Sequence, residues 1–240
     1  MNYRYETAKK DYTDLASGRV LYHAPGSAPF PVRLASEIFC RALALLKQDQ
    51  EKKGYKIYDP CCGSGYLLTV LGFLHAGKIR EIWATDYDAE ILETAARNLS
   101  LLTPAGLRKR EAEIREYIKK YGKPSHVDAL ASAKKLKSLQ KQEPVKITCR
   151  QRDITKPGEN PVNDANMIIT DLPYGNLVSW QGHEENPINR LFENVWQALY
   201  LDNAVVVIVT DGQKLKHPQF QRVHQLKAGK RRVSFFKPLV

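Results

Sequence analysis

The sequence has few cysteines and no long apolar run, and each shortage excludes a class of protein. Only 4 cysteines occur in 240 residues, and two of them, Cys61 and Cys62, are adjacent, so a disulfide framework is not expected. No run of about 18 apolar residues is present that would cross a bilayer. The first residues, 1–6, lack the apolar stretch of a secretory signal. We therefore expect a reduced, cytoplasmic protein with no membrane partner.

Acidic residues are missing from Gly212 to Val240, where 8 Lys/Arg occur without a single Asp or Glu. A second basic segment, Pro104 to Gln142, has 11 Lys/Arg and 4 Asp/Glu, whereas the rest of the chain has 18 and 22. Two basic segments on a mildly acidic body indicate a polyanionic partner. A surface selected for solubility is the main alternative. A membrane surface is favoured less, because neither segment combines its charge with bulky aromatic anchors on an apolar face.

Short apolar segments alternate with helical patterns along most of the chain. This alternation predicts an α/β fold with a parallel sheet that is covered on both faces. Strands are predicted at 55–58, 81–85, 145–149, 166–170 and 204–210, and a closing antiparallel hairpin at 223–226 and 232–236. Helices are predicted at 34–46, 66–75, 186–199 and from Asp88, as the cap, to about 101. A chain of 240 residues with 43% hydrophobic content favours one domain with an insertion over two domains.

The insertion is the basic segment that begins near Thr103, where the alternation of strand and helix breaks. Thr103 followed by proline is a plausible helix start, and Gly122-Lys123-Pro124 is a turn. Ser125, with Asp128 three residues later, resembles a capping box for a second helix. The pattern therefore predicts a basic helical hairpin over residues 104–142.

A glycine loop, Asp59-Pro60-Cys61-Cys62-Gly63-Ser64-Gly65, directly follows the first predicted strand. Gly63 and Gly65 allow a ligand to approach the backbone closely. Asp86, at the end of the next predicted strand, is suited to hold two ribose hydroxyls. A nicotinamide dinucleotide is favoured less, because the loop lacks the G-x-G-x-x-G spacing for a pyrophosphate.

The second motif, Thr170-Asp171-Leu172-Pro173-Tyr174-Gly175, follows the apolar run 167–169. Asp171 offers a carboxylate and Leu172 a carbonyl as hydrogen-bond acceptors, Pro173 fixes the turn, and Tyr174 offers a stacking face. Acceptors at an exocyclic amine favour a tetrahedral nitrogen as a methyl group arrives, so this acceptor motif is suited to amine methylation. An ordinary strand-to-loop turn is the alternative for these residues alone.

Both motifs resemble those of amino-group methyltransferases that use S-adenosylmethionine. The glycine loop is similar to their D-P-x-C-G-S-G loop, with Cys61 in place of the first glycine of the commoner pattern. The acceptor motif is similar to N/D-P-P-Y/F, with Leu172 in place of the first proline. The resemblance implies that Asp59 lies near the methionine ammonium of S-adenosylmethionine, Gly63 and Gly65 against the cofactor, Asp86 on the ribose and Asp153 near the adenine amino group. Arg33 lies where related enzymes fold an amino-terminal loop over the cofactor, and it is a candidate partner of the methionine carboxylate. Cys61 and Asp171 are also expected among the cofactor-binding residues.

Nearly the whole chain, from about Asp14 to Thr210, resembles the avilamycin-resistance ribosomal RNA methyltransferase family. The matching segments are 21–26, 30–35, 59–75, 101–107, 122–125 and 170–175. The resemblance implies a Rossmann-like, doubly wound, mostly parallel seven-stranded sheet over a single methyltransferase domain, 1–240. Residues 1–50 would cover the cofactor. The basic carboxyl-terminal hairpin, 212–240, shows little similarity to the family, and its expected role in binding RNA is inferred from its charge alone.

The resemblance also implies a guanine of 23S ribosomal RNA as substrate, and it leaves antibiotic resistance and housekeeping modification open as biological roles. An exocyclic nitrogen is favoured as the target, with a ring nitrogen or a ribose oxygen as alternatives. Two other functions remain open: methylation of a protein glutamine amide, and RNA binding without turnover. We expect a monomer. We also expect no metal, because His183 has no metal-like partners at suitable spacing. Trp180 either stacks on a flanking base or caps the core.

Overall fold

The computed structural model describes residues 2–47, 54–140, 145–158, 160–172 and 186–240. Its helices are α1 (Val32–Leu43), α2 (Tyr66–Leu74), α3 (Ala89–Ser100), α4 (Pro104–Tyr121), α5 (Pro124–Leu139) and α6 (Pro187–Ala198). Its strands are β1 (Tyr55–Asp59), β2 (Ile79–Asp86), β3 (Lys146–Gln151), β4 (Met167–Asp171), β5 (Val205–Thr210), β6 (Phe220–Ala228) and β7 (Arg231–Pro238). The helices and strands expected from the sequence are confirmed, with ends that shift by a few residues.

The strands form one sheet in the order β3-β2-β1-β4-β5-β7-β6. Strands β1 to β5 pair in parallel, and β7 pairs antiparallel with both β5 and β6. The order reverses between β1 and β4, as in a doubly wound fold, and ligands of such folds bind beyond the strand ends at that point. The predicted fold class is therefore confirmed, including the closing hairpin, whose turn contains Gly229 in a left-handed conformation.

Strand β5 shows how the sheet separates two apolar layers. All six of its residues are buried. Val205, Val207 and Val209 pack into the larger cluster, which contains side chains of α1, α2 and α3. Val206 and Ile208 pack into the second cluster with side chains of α6. Since successive side chains of a strand point to opposite faces, both faces of the sheet are covered.

Local capping explains where the helices around the insertion begin. The Asp88 carboxylate accepts the Glu90 amide at the start of α3, as predicted, and the Thr103 hydroxyl accepts the Gly106 amide at the start of α4. The predicted cap at Ser125 is wrong. Helix α5 begins at Pro124 with Lys123 as its cap, and Lys123 makes no side-chain capping bond. Proline has no amide hydrogen to satisfy and its fixed φ suits the first helical position, so it sets this start.

Helices α4 and α5 pack against each other and form the predicted helical hairpin. Helix α4 is 18 residues long and buries only three of them, Leu107, Arg110 and Ile114. Most of its surface therefore faces solvent. In the described part of the chain, no helix is both long enough and apolar enough to cross a membrane.

Candidate functional site

Three aspartates end three neighbouring strands. Asp59 ends β1, Asp86 ends β2 and Asp171 ends β4. Strand β1 lies between β2 and β4 and is parallel to both, so these strand ends share one edge of the sheet. The charges of Asp86 and Asp171 both act on the Asp59 carboxyl. The structure therefore brings the glycine loop, Asp86 and the start of the acceptor motif to one edge of the sheet.

Hydrogen bonds to β2 hold the glycine loop (residues 59–65) in place. The Cys62 amide donates to the Thr85 carbonyl at 2.9 Å, and the Gly63 amide donates to Asp86 Oδ2 at 2.8 Å. Gly65 closes the turn by donating its amide to the Cys62 carbonyl at 2.8 Å. Helix α2 begins directly after this turn, so its first unpaired amides face the same edge of the sheet.

The two glycines of the loop have different surroundings. Gly63 (φ +50°) and Gly65 (φ +68°) both adopt left-handed backbone conformations. A Cβ atom on Gly65 would lie 3.1 Å from the Ala95 Cα atom, so Gly65 is needed for packing against α3. A Cβ atom on Gly63 would meet no atom within 4 Å. Gly63 therefore borders open space in front of the loop, where a ligand can approach the backbone.

Asp59 is a buried carboxyl with an unusual pKa. Its side chain accepts the Cys61 amide at 3.0 Å, and the residue is 2% exposed. Burial, together with the charges of Asp86 and Asp171, raises its pKa to about 7, although the Cys61 amide and the Thr170 hydroxyl act to lower it. Asp59 forms no ion pair with any basic side chain in the described residues. A cationic ligand group would therefore be favoured here.

Asp86 accepts hydrogen bonds from two backbone amides, those of Gly63 at 2.8 Å and Asp88 at 3.2 Å. Burial raises its pKa, and the amides oppose that increase. The Arg152 amide donates to the backbone carbonyl of Asp86 at 2.8 Å, which links β2 to the loop after β3. Asp153, the acid that the family resemblance assigns to the adenine, is the next residue in that loop.

The Asp153 side chain forms hydrogen bonds within the loop that follows β3. Its Oδ1 atom accepts the Thr155 amide at 2.9 Å and the Thr155 hydroxyl at 2.6 Å. Lys156 lies 3.9 Å from the other carboxylate oxygen. The charge of Asp153 makes a small contribution to the raised pKa of the Cys61 thiol.

The two loop cysteines have the character of apolar fillers. Burial, with the charges of Asp59 and Asp86, raises the pKa of the Cys61 thiol well above its usual range. The pKa of the Cys62 thiol is also raised, chiefly by a hydrogen bond with Cys149 and then by burial. Thiols with raised pKa values are poor nucleophiles at neutral pH. Cysteine chemistry is therefore disfavoured at this site.

The acceptor motif is described only as far as Leu172. Asp171 pairs with Val209 in the parallel register between β4 and β5. The Leu172 amide donates to the Val209 carbonyl at 3.0 Å, and the Leu172 side chain is 3% exposed and packs in the second apolar cluster. Proline has no amide hydrogen and could not make this bond. Leucine at this position therefore allows the pairing of β4 with β5 to continue past Asp171. Pro173, Tyr174 and Trp180 lie outside the described residues.

Arg33 has partners other than the one that the family resemblance implied. Its guanidinium donates to the carbonyl of Glu6 at 2.7 and 3.0 Å and to the carbonyl of Thr7 at 3.0 Å. It also lies 3.8 Å from the ring centroid of Tyr3. Arg33 thus holds the amino-terminal segment against α1. Its proposed contact with a methionine carboxylate stays a prediction.

Sequence reasoning missed Asn98, a fully buried residue of α3 that supports the glycine loop from behind. Its side-chain amide donates to the Ser64 carbonyl at 2.9 Å and to the Tyr22 carbonyl at 3.1 Å, while its oxygen accepts the Tyr22 amide at 2.7 Å. A polar residue at a buried helix position was the only signal in the sequence, and it became visible once the apolar face of α3 was known.

Helices α4 and α5 of the insertion contact the amino-terminal segment that includes Tyr22. The Tyr22 hydroxyl donates to Glu113 on α4 at 2.9 Å, and the guanidinium of Arg110 lies 4.3 Å from the Tyr22 ring centroid. Arg110 also donates to the Val20 carbonyl at 2.8 Å. On α5, Ser132 donates to Asp14 at 2.6 Å. These contacts hold both helices of the insertion against the amino-terminal segment.

The chain is similar to known RNA methyltransferases over most of its length. The model of the family rRNA methyltransferase AviRa matches residues 1–231. A curated relative from Streptomyces viridochromogenes, named 23S rRNA (guanine(2535)-N(1))-methyltransferase, is 40% identical, and the match covers 95% of this chain and 93% of the relative.

Solved structures are also similar to this chain. The 1.5 Å structure of rRNA methyltransferase AviRa from Streptomyces viridochromogenes is 38% identical with a TM-score of 0.86, and the match covers 98% of this chain and 96% of that chain. TrmN from Thermus thermophilus is 16% identical with a TM-score of 0.50, and the match covers 88% of this chain and 49% of that chain. At that identity, the likeness to TrmN shows the fold alone.

Proposed function

The chain belongs to the rRNA methyltransferase AviRa family, and we propose that it transfers a methyl group from S-adenosylmethionine to a guanine of 23S ribosomal RNA. The observation that carries this proposal is the shared edge of β2, β1 and β4. It places Asp171, at the start of the acceptor motif, beside the glycine loop and the two acids Asp59 and Asp86. A donor and an acceptor therefore have adjacent binding sites.

The residues at this edge suit S-adenosylmethionine, which would supply an electrophilic methyl group. Asp59 is buried without an ion-pair partner in the described residues, so the ammonium of the methionine part would compensate its charge. Gly63 leaves open space along the backbone for the cofactor. Asp86 would accept hydrogen bonds from the ribose hydroxyls. Asp153 follows Arg152, whose amide binds the Asp86 carbonyl, and it is proposed to lie near the adenine amino group.

We propose the ring nitrogen N1 of guanine as the target, rather than the exocyclic nitrogen that the sequence alone favoured. The curated relative is named for N1. Neutral guanine carries a proton on N1, so a carbon–nitrogen bond forms there only as that proton leaves. A carboxylate that accepts a hydrogen bond from N1–H favours this loss. Asp171 is the residue of the acceptor motif that can fill this role, and the carbonyl of Leu172 would orient the neighbouring amine.

The two basic segments are proposed to hold the RNA. Lys134 and Lys137 of α5 are exposed, as are Arg222 and Lys227 of β6. Lysine and arginine side chains bind phosphates and release counterions, so affinity for RNA would fall as salt rises. Phosphate contacts would offset the few kcal/mol needed to bring a paired guanine out of its stack.

Family membership disfavours methylation of a protein glutamine amide. An RNA-binding module without turnover is separated from an enzyme by Asp171→Ala. We expect this variant to retain S-adenosylmethionine binding in isothermal titration calorimetry while losing methyl transfer to 23S rRNA. Full methyl transfer by the variant would contradict the proposed role of Asp171. Absence of methyl transfer by the unmodified protein would contradict the proposal that the protein is an enzyme.

A further inference from the structure

An aromatic cluster lies at the far end of the helical insertion. Tyr117 and Tyr121, one turn apart on α4, have ring centroids 6.3 Å apart. His126, in the first turn of α5, lies 5.7 Å from Tyr117 and 6.0 Å from Tyr121. We name these three residues the aromatic tip.

The aromatic tip faces solvent rather than the core. Tyr117 is 39% exposed and Tyr121 is 52% exposed, and neither belongs to the two apolar clusters. Single exposed aromatic residues are common on protein surfaces, but two adjacent exposed tyrosines with a histidine offer a contiguous stacking surface. Planar groups that stack on such a surface include nucleobases.

Positive charge surrounds the aromatic tip. Residues 115–126 include four basic residues, Arg115, Lys119, Lys120 and Lys123, and one acidic residue, Glu116. The Lys120 ammonium lies 5.2 Å from the ring centroid of Tyr121, and Lys119 pairs with Glu116 at 2.8 Å. Stacking faces combined with basic side chains are typical of proteins that bind unpaired nucleic acid.

The aromatic tip is held at a fixed distance from the glycine loop. Asn98 joins that loop to Tyr22, and Tyr22 binds Glu113 of α4. From Glu113 to Tyr121 the helix rises by about 12 Å, at about 1.5 Å per residue. The aromatic tip therefore lies about 12 Å along α4 from the residue that links this helix to Tyr22, so it would contact a different nucleotide from the one that is methylated.

We propose that Tyr117, Tyr121 and His126 form a second RNA site, which stacks one unpaired nucleotide while Lys119, Lys120 and Lys123 contact its phosphates. The identity of the RNA rests on the proposed function, but stacking itself does not require methyl transfer. The site would place a single-stranded segment of 23S rRNA relative to the target guanine.

The double variant Tyr117→Leu, Tyr121→Leu tests this site, because leucine retains apolar contact and helix propensity but lacks an aromatic face. We expect its affinity for a single-stranded fragment of 23S rRNA, measured by fluorescence anisotropy, to fall by about 5- to 100-fold. The salt dependence of binding should stay unchanged, because no phosphate contact is lost. The variant Tyr117→Phe, Tyr121→Phe keeps the stacking faces and should retain affinity within about threefold.

Two controls separate stacking from charge and from general damage. Tyr5→Leu replaces a tyrosine that is 40% exposed outside the insertion, and it should leave RNA affinity unchanged. The triple variant Lys134→Ala, Lys135→Ala, Lys137→Ala should flatten the salt dependence of binding to the same single-stranded fragment by up to about 0.7 per lost phosphate contact. Thermal unfolding of each variant shows whether the insertion is intact.

Wild-type affinity in the folded double leucine variant would overturn the proposal. Equal losses in the leucine and phenylalanine variants would also overturn it, as would binding to anionic lipid vesicles in preference to RNA. If RNA binding depends on the aromatic tip but no methyl group is transferred, the proposed function fails and the stacking site stands. If the leucine variant transfers methyl groups with an unchanged KM for RNA, the proposed function stands and the stacking site fails.

Discussion

The Leu172 amide donates to the Val209 carbonyl at 3.0 Å, so the departure of the acceptor motif from a proline pair coincides with a hydrogen bond between β4 and β5. The bond fixes the backbone directly after Asp171. A first proline restricts this turn through its ring, whereas Leu172 restricts it through pairing and through a buried side chain. Leucine and proline both supply a backbone carbonyl that can accept a hydrogen bond.

Leu172→Pro should therefore destabilise the protein, although it restores the commoner motif. It removes the Val209 hydrogen bond and a side chain that is 3% exposed. We expect a loss of about 2–5 kcal/mol in the free energy of unfolding, measured by urea denaturation. Leu172→Ile keeps the amide and the side-chain volume and should cost less than about 1.5 kcal/mol. A Leu172→Pro variant as stable as the original protein would contradict this explanation.

Asp86→Asn and Asp88→Asn form a matched pair that tests the ribose contact. Each removes one negative charge near the glycine loop, but Asp86 accepts the Gly63 amide whereas Asp88 caps α3. Loss of charged hydrogen bonds to the ribose should weaken S-adenosylmethionine binding by about 10- to 100-fold in the Asp86 variant. Asparagine caps helices as well as aspartate does, so the Asp88 variant should bind normally. Equal effects of the two variants in calorimetry would refute the assignment.

The two loop glycines should respond differently to alanine. Gly65→Ala brings a Cβ atom to 3.1 Å from the Ala95 Cα atom, so we expect lower thermal stability. Gly63→Ala meets no protein atom within 4 Å and should cost only the strain of its left-handed backbone, about 1–2 kcal/mol. Its methyl group would occupy the space proposed for the cofactor, so S-adenosylmethionine binding should weaken strongly. Normal binding by a folded Gly63→Ala variant would show that the cofactor lies elsewhere.

Asp59 should make cofactor binding depend on pH. Its pKa of about 7 in the free protein means that it is largely protonated below neutrality. An ammonium group beside it favours the ionised form, so binding should release a proton, and affinity should rise from pH 5 to pH 7. Calorimetry in buffers of different ionisation enthalpy measures this proton release. Asp59→Asn should abolish the release, and proton release that persists in the variant would assign it to another group.

The same carboxyl should affect the stability of the free protein. A carboxyl whose pKa is raised in the folded state stabilises it fully below the unfolded value near 4, and this contribution is lost as pH rises through about 7. Over that window, the free energy of unfolding of the Asp59→Asn variant should increase relative to that of the original protein. A constant difference between the two proteins across the window would be evidence against a raised pKa.

Most of the fold was predictable because its signals are local. The Asp88 cap and the glycine loop directly after β1 each depend on residues close in sequence. The sheet order then follows from general rules for parallel strands.

The features that sequence analysis missed depend on partners distant in sequence. Leu172 forms a hydrogen bond with Val209, and Asn98 forms hydrogen bonds with Tyr22 and Ser64. Arg33 donates hydrogen bonds to the carbonyls of Glu6 and Thr7. No periodicity or spacing encodes such pairs. The start of α5 was missed for another reason, since Pro124 and Ser125 both favour a helix start and proline prevailed.

The central claim is tested by incubating the purified protein with S-adenosylmethionine, labelled in its methyl group, and 23S rRNA from cells that lack this protein. The RNA is digested to nucleosides and analysed by liquid chromatography with mass spectrometry, with the Asp171→Ala variant in parallel. We predict labelled 1-methylguanosine from the unmodified protein and none from the variant. Label in N2-methylguanosine, in a ribose methyl group or in no nucleoside would contradict the account.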